Sequence, residues 1–364
     1  MNYVCSRCGR SVSSHTLQAK CPCGGLWNLS HSLPSFSLGE IDHDTWSIFR
    51  YRKFMAVDHE AWRDVSLGEG MTPIIRLDEN VLLKMDYFMP TLSYKDRGAA
   101  VLISHCKAIG VDSVVQDSSG NAGNSIAAYA ARAGIRCEIF VPEGTSPKKI
   151  DMIRAHGAQC TVVPGDRDHC ADVCREKVER EGVYYANHVY NPFFYEGTKT
   201  YIYEVFEQLR RIPEYLLIPV GNGTLFLGAV QALEHLLKSG CIPQMPQILA
   251  VQSEKCDPLL QAMETGREDP VKIAPKPTLA EGIAIGVPMR GAEILAYARR
   301  YHVQFIHAPE EKILAAREAL AKKGIYCEHT TAANYAAYLH YTELHGAISD
   351  CLITICGAGL KSDH

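Results

Sequence analysis

From Leu77 onward the chain alternates between short runs rich in β-branched residues and longer stretches whose apolar positions recur every three to four residues. The short runs predict strands at 81–85, 113–116, 137–141, 159–163, 216–220, 248–252, 303–306 and 351–355. The longer stretches predict helices at 96–109, 125–133, 147–156, 168–180, 226–237, 292–300, 310–322 and 331–344. Strands alternating with helices build a parallel sheet with helices on both faces, so the expected class is α/β, doubly wound around an open sheet. Ligands of such sheets collect at the carboxyl ends of the strands, which singles out the turns that follow them. Residues 1–30 differ: they carry cysteines and glycines and show neither a helical nor a strand period. Residues 31–65 carry Trp46, Phe49, Tyr51, Phe54 and Trp62, an aromatic stretch suited to strapping a small module onto a larger body.

Composition adds limits. With 364 residues, 47% hydrophobic and 21% charged, the chain is too long for one ordinary compact domain; two domains, or a large one with a subdomain, are expected. A net charge of −4 without a cationic stripe points away from nucleic acid and from an anionic membrane as partners. The most apolar stretch, 215–237, is interrupted by Asn222, Gln231 and Glu234, so no membrane span is expected. The residues Met1-Asn2-Tyr3-Val4-Cys5 hold no apolar secretory core, and the expected location is the cytoplasm. Ten of the 14 cysteines are scattered through helix- and strand-like segments, where they read as small buried hydrophobes.

Three turns carry chemistry. In the first, the strand ending at Gln116 runs through Asp117-Ser118-Ser119-Gly120-Asn121-Ala122-Gly123-Asn124 into a helix. Its hydroxyls and free N–H groups at a helix start suit a carboxylate or phosphate; the alternative is an ordinary capped turn. In the second, Pro219-Val220-Gly221-Asn222-Gly223-Thr224-Leu225 is again strand, glycine turn, helix, a nest of N–H groups that is neither a P-loop nor a dinucleotide fingerprint. The third is Tyr94-Lys95-Asp96-Arg97-Gly98, a lysine at a helix start. Alone it reads as a solvated surface group; near anion-binding turns it becomes a candidate amine nucleophile.

In order along the chain, five segments resemble motifs of the fold-type II, tryptophan synthase β-like, pyridoxal-phosphate enzymes. Gly68-Glu69-Gly70-Met71-Thr72-Pro73 is similar to their Gly-x-Thr-Pro segment, and Ser93-Tyr94-Lys95-Asp96-Arg97-Gly98 to their Ser-Phe-Lys-Asp-Arg-Gly. Ser118-Ser119-Gly120-Asn121 is similar to their Ser-x-Gly-Asn loop, Gly221-Asn222-Gly223 to their phosphate loop, and Cys356-Gly357-Ala358-Gly359-Leu360-Lys361 to their closing segment. The likeness covers residues 66–361. It implies a two-domain type II fold over 31–364, with a small subdomain at about 96–200 inserted in a larger one. It implies pyridoxal 5′-phosphate held by Lys95 as a Schiff base, with Lys95 then moving protons at Cα. Asn121 would lie beside the 3′-oxygen of the cofactor, and Gly221, Asn222, Gly223, Thr224 and Leu225 would cradle its phosphate. Cys356 would face the pyridine nitrogen. Ser118, Ser119, Gly120, Ala122 and Asn191 would bind a small amino-acid substrate. A neutral group at the ring nitrogen moderates the electron sink and favours elimination and replacement over transamination.

Within that family the chain most resembles threonine synthases, which implies conversion of O-phosphohomoserine and water to threonine and phosphate. Asn191-Pro192-Phe193 with Glu196-Gly197-Thr198-Lys199-Thr200, and the Gly-Leu-Lys ending, carry this likeness. Where threonine synthases commonly place an arginine for the substrate phosphate stands Phe194, which cannot supply bidentate charge-assisted contacts. Lys84, Arg97 and Lys199 are the basic residues that could replace that arginine, with helix-surface charges or structural ion pairs as the alternatives. Ala280-Glu281-Gly282-Ile283-Ala284 is closer to amino-acid dehydratases. Serine or threonine dehydration, β-replacement as in cysteate synthase, and a catalytically degenerate amino-acid-binding module are therefore the alternatives. Cys5-x2-Cys8 and Cys21-x-Cys23 resemble a four-thiolate ribbon, implying structural zinc in a module of residues 1–30. A homodimer is the habit of the family.

Overall fold

The computed structural model describes residues 1–361. It divides into two units. The first comprises Met1–Met71 and Lys95–Thr198; the second comprises Thr72–Tyr94 and the described chain from Lys199 to Lys361. The chain passes from the second unit to the first between Tyr94 and Lys95, and returns within the helix Pro192–Leu209.

The first unit is built on a four-stranded parallel sheet in the order Gln159–Val163, Arg136–Pro142, Ser113–Gln116, Tyr184–Tyr185. Helices Lys95–Ala108, Asn121–Ala133, Pro147–Ala155 and Arg167–Glu181 connect and cover it. Val115, Phe140, Val163, Cys170, Cys174 and Tyr185 share one buried cluster, so these two cysteines do pack as small apolar groups. Residues 1–30, expected to lack a strand period, form a three-stranded antiparallel sheet of Asn2–Cys5, Ser11–Ser13 and Trp27–Ser30. Strands of three or four residues are too short to display a period of two. This sheet is fastened by rings: Tyr3 stacks on Trp27 and meets Phe193 edge-on, each at 6.0 Å, and Phe193 stacks on His105 at 3.7 Å. His105 also donates from Nε2 to the Ser14 carbonyl at 3.0 Å, and burial holds it neutral, with its pKa down at about 3. In the aromatic stretch Phe49, Tyr51, Phe54 and Trp62 are buried as expected, whereas Trp46 is 74% exposed.

The second unit holds a six-stranded sheet in the order Gln304–Ala308, Gln247–Ser253, Tyr215–Pro219, Cys351–Thr354, Val81–Lys84, Ile74–Arg76, parallel except for the last strand. The single parallel sheet expected from the pattern is thus two sheets, one of them with an antiparallel edge. Helices Pro192–Leu209 and Pro258–Glu264 lack a predicted counterpart. From Asn191 to Phe206 every residue is buried, so no polar face marks the longer helix with a 3.6-residue period. Lys84 Nζ is fully buried against Glu204 Oε2 at 2.7 Å and the Thr72 carbonyl at 2.5 Å, which gives that lysine a structural ion pair. Among the described residues no helix is long and apolar enough to cross a membrane.

Glu69, in the first unit, is fully buried, and accepts from Leu67 N at 2.8 Å, Ser66 Oγ at 3.0 Å and Tyr129 Oη at 3.0 Å. Burial outweighs these donors and pushes its pKa up from 4.5 to about 7. Between those values the folded chain holds a proton that the unfolded chain has lost, so this group makes stability fall as pH rises through that window. Glu69→Gln removes the effect. Thermal melts from pH 5 to 8 should show the variant gaining on the wild type with pH, by up to about 3 kcal/mol; parallel melting curves would contradict it.

Candidate functional site

The first predicted turn follows the strand Ser113–Gln116, and its helix begins at Asn121, earlier than the expected 125. Gly120 caps it without a side-chain hydrogen bond. The turn is tight: a methyl group on Gly123 would overlap the Ser118 carbonyl. Ser118 and Ala122 are buried, Ser119 and Asn121 half-buried, Gly120 exposed. Asp117 accepts from Tyr185 Oη at 2.7 Å and Asn187 Nδ2 at 2.8 Å, which ties this turn to the loop after the neighbouring strand.

Lys95 opens the helix Lys95–Ala108 and is half-buried. Its Nζ lies 5.8 Å from the centre of the Phe194 ring. Phe194 is fully buried and covers Gly98, where a methyl group would overlap the ring. Position 194 is therefore beside the lysine, and it offers an aromatic face. Asn191 does not stand open: its Oδ1 accepts from Phe193 N at 3.0 Å, capping the helix from Pro192, and its Nδ2 donates to Tyr184 Oη.

In the second unit the glycine turn leads into the helix Thr224–Lys238, which starts before the expected 226. Gly223 caps it at φ +73° with no side-chain hydrogen bond, and a methyl group there would overlap Ile294. A methyl group on Gly221 would come within 3.0 Å of the Gly282 carbonyl oxygen and Ile283 Cα. Gly221, Gly223, Thr224 and Leu225 are buried and Asn222 half-buried. Thr224 Oγ1 is 3.0 Å from Tyr94 Oη, and Tyr94 N donates to the Cys356 carbonyl at 3.0 Å. Tyr94 therefore gathers the glycine turn and the closing segment, and the next residue in the chain is Lys95. Cys356 is buried, with Sγ 3.0 Å from Thr331 Oγ1; burial, seconded by the Glu328 carboxylate, pushes its thiol far up, so it stays neutral.

Cys5, Cys8, Cys21 and Cys23 converge, all four sulfurs lying within 4.8 Å of one another, with Cys5–Cys23 at 3.4 Å and Cys8–Cys21 at 3.7 Å. A tetrahedral zinc–thiolate centre spaces its sulfurs by roughly 3.8 Å, so the set fits one such ion.

Sequence reasoning passed over Tyr94, Thr331 and His188. His188 is buried between Asn187 and Val189, and nothing local in the sequence sets it apart from the neighbouring asparagines.

Two units built on mainly parallel sheets, with glycine-bearing turns between strand ends and helix starts, are an α/β architecture, and the family match makes it that of the fold-type II enzymes. The chain belongs to the family of pyridoxal-phosphate dependent enzymes, which it matches over residues 65–357. It is 28% identical to a threonine synthase of Methanocaldococcus jannaschii over 98% of this chain and 92% of that protein. It is 31% identical to a threonine synthase of Mycobacterium leprae over 88% and 90% of the two chains. A processed threonine deaminase isoform 2 from Solanum lycopersicum shares the fold, with a TM-score of 0.72 at 21% identity over 91% of this chain and 88% of that one.

The features above suit pyridoxal phosphate. An uncapped helix start behind glycines suits a phosphate. A neutral buried thiol suits an uncharged ring nitrogen, and a half-buried lysine suits a carbonyl partner.

Gly223→Ala should lower stability by about 1–2 kcal/mol through its left-handed backbone alone, with the Ile294 overlap in addition. It should also weaken binding of pyridoxal phosphate. Denaturant melts and a fluorescence titration with the cofactor check both; wild-type values would contradict the reading of this turn.

Proposed function

We propose that this enzyme eliminates or replaces an oxygen-linked group on a small amino acid, with Lys95 as the amine that carries pyridoxal phosphate. The observation that carries the reading is Tyr94: its hydroxyl bonds Thr224, its amide bonds the Cys356 carbonyl, and Lys95 follows it directly. When bound, pyridoxal phosphate supplies an electron sink for the bond electrons released at Cα of the substrate. The N–H groups of 221–225 and the Thr224 hydroxyl would hold the phosphate, and the family likeness gives Asn121 the 3′-oxygen. The neutral Cys356 thiol would be the partner of the ring nitrogen and would leave it uncharged. Ser118, Ser119 and the N–H groups of the 118–122 turn would hold the substrate carboxylate, with Asn191 positioning the helix that bears Phe194. Lys95 would hold the cofactor and would take and return the proton at Cα.

Likeness to threonine synthases over nearly the whole chain supports O-phosphohomoserine as substrate and water as the entering group. Phe194 beside Lys95 favours a second reading, a dehydratase or β-replacement enzyme acting on a hydroxy amino acid. In both, Lys95→Ala should abolish the Schiff-base absorbance of the cofactor-loaded protein and lower turnover by about 10³-fold or more. Retained absorbance or turnover would exclude Lys95 from this role.

The same reading gives the four amino-terminal thiolates one structural zinc ion, with no open position for catalysis. Metal analysis of the purified protein should find about one zinc per chain, lost together with thermal stability in Cys8→Ser. A metal-free wild type of unchanged stability would overturn it. A cytoplasmic homodimer completes the proposal, on family likeness alone.

A further inference from the structure

At the carboxyl end of the four-stranded sheet in the first unit, buried polar atoms stand without partners. Gln116 ends the strand Ser113–Gln116, is fully buried, and neither end of its side-chain amide makes a hydrogen bond. The strand beside it is Tyr184–Tyr185, and the loop after that strand carries His188, buried, with Nδ1 unpartnered. Asn124, in the first turn of the helix from Asn121, has an unpartnered buried Oδ1. Native interiors pair such groups, because each one left unpaired forfeits the hydrogen bonds it had in water. Three orphans at the strand ends where α/β sheets receive ligands mark a place that a polar ligand completes.

The side chains around His188 define what that ligand carries. Its ring lies edge-on to Phe194 with centres 5.7 Å apart, and Phe194 in turn lies beside Lys95 Nζ at 5.8 Å. Burial, and after it the cations Lys95 and Arg167, hold the imidazole neutral. One side of the lysine is thus walled by a neutral donor–acceptor ring and by an aromatic face, whose quadrupole is negative. A phosphate dianion wants guanidinium or ammonium groups and bidentate N–H donors, and neither His188 nor Phe194 supplies one. A hydroxyl wants one neutral hydrogen bond and tolerates an aromatic neighbour.

We propose that His188 and Phe194 form the substrate side-chain pocket, His188 Nδ1 hydrogen-bonding an uncharged hydroxyl on the substrate while Phe194 excludes a phosphate ester. The substrate class is then a neutral β-hydroxy amino acid of the serine or threonine type. The inference rests on the cofactor reading above and narrows it.

The test uses the cofactor-loaded full chain, with L-serine, L-threonine and O-phospho-L-homoserine titrated against the cofactor absorbance, and keto acid and phosphate release measured alongside. In the wild type the hydroxy amino acids should saturate at concentrations about 10²-fold or more below the phosphate ester, the worth of a desolvated unpaired charge. His188→Ala should weaken their spectroscopic Kd by about tenfold, one neutral hydrogen bond, while leaving the free-enzyme absorbance unchanged. His188→Asn, which keeps an amide near the Nδ1 position, should restore most of that loss. Tighter binding of O-phospho-L-homoserine than of serine and threonine by the wild type overturns the pocket, and so does an unchanged Kd in His188→Ala. Either result leaves the cofactor reading standing, whereas a wild type without Schiff-base absorbance overturns both.

Discussion

Two helices of the first unit cross so closely that glycine is required on each. A methyl group on Gly98 of the helix Lys95–Ala108 would overlap the Phe194 ring, and one on Gly197 of the helix Pro192–Leu209 would overlap the Arg97 carbonyl. Backbone contact of this kind leaves no rotameric slack, so the position of one helix dictates that of the other. Lys95 and Phe194 are neighbours because of it. The same crossing turns Phe193 onto His105, where it also meets Tyr3. The cysteine-bearing sheet, the lysine and the aromatic wall are consequences of one packing contact in the first unit.

Charge is handled with equal economy. In the second unit Lys84 is spent on Glu204 in a fully buried pair, so it is no free cation for a substrate. Cys356, His188 and His105 are all kept neutral by burial. Glu69 gives up a proton only near neutrality, its three donors failing to offset the loss of water. Lys95, half-buried at a helix start, is the amine that the proposed function assigns to the cofactor.

Much of this was legible in the sequence, for reasons that can be named. Strands such as Ser113–Gln116 and Gln159–Val163 fall where the β-branched runs placed them, because buried parallel strands read as apolar runs. The turns at 118–124 and 221–224 were visible since small polar residues interrupt those runs. Their helices begin at Asn121 and Thr224, earlier than periodicity indicated: Asn121-Ala122-Gly123-Asn124 has no apolar stripe, and Thr224 extends its helix into the polar end of the glycine turn. The helix Pro192–Leu209 escaped because it is wrapped on all sides. Contacts across long separations were beyond reach. Tyr94 and Thr224 are 130 residues apart, and nothing local in either announces the other. His188 was hidden for the same reason, its neighbours Phe194 and Lys95 being set by tertiary packing. Composition also left the amino-terminal strands invisible, although the spacing of their cysteines did convey that four sulfurs converge.

The measurement that bears most directly on this account is borohydride reduction of the cofactor-loaded protein followed by peptide mapping. Reduction fixes the cofactor to whichever amine holds it. The account predicts a single pyridoxyl-modified peptide bearing the label on Lys95. A label on Lys84, Lys199 or any other lysine, or no label at all, would contradict it.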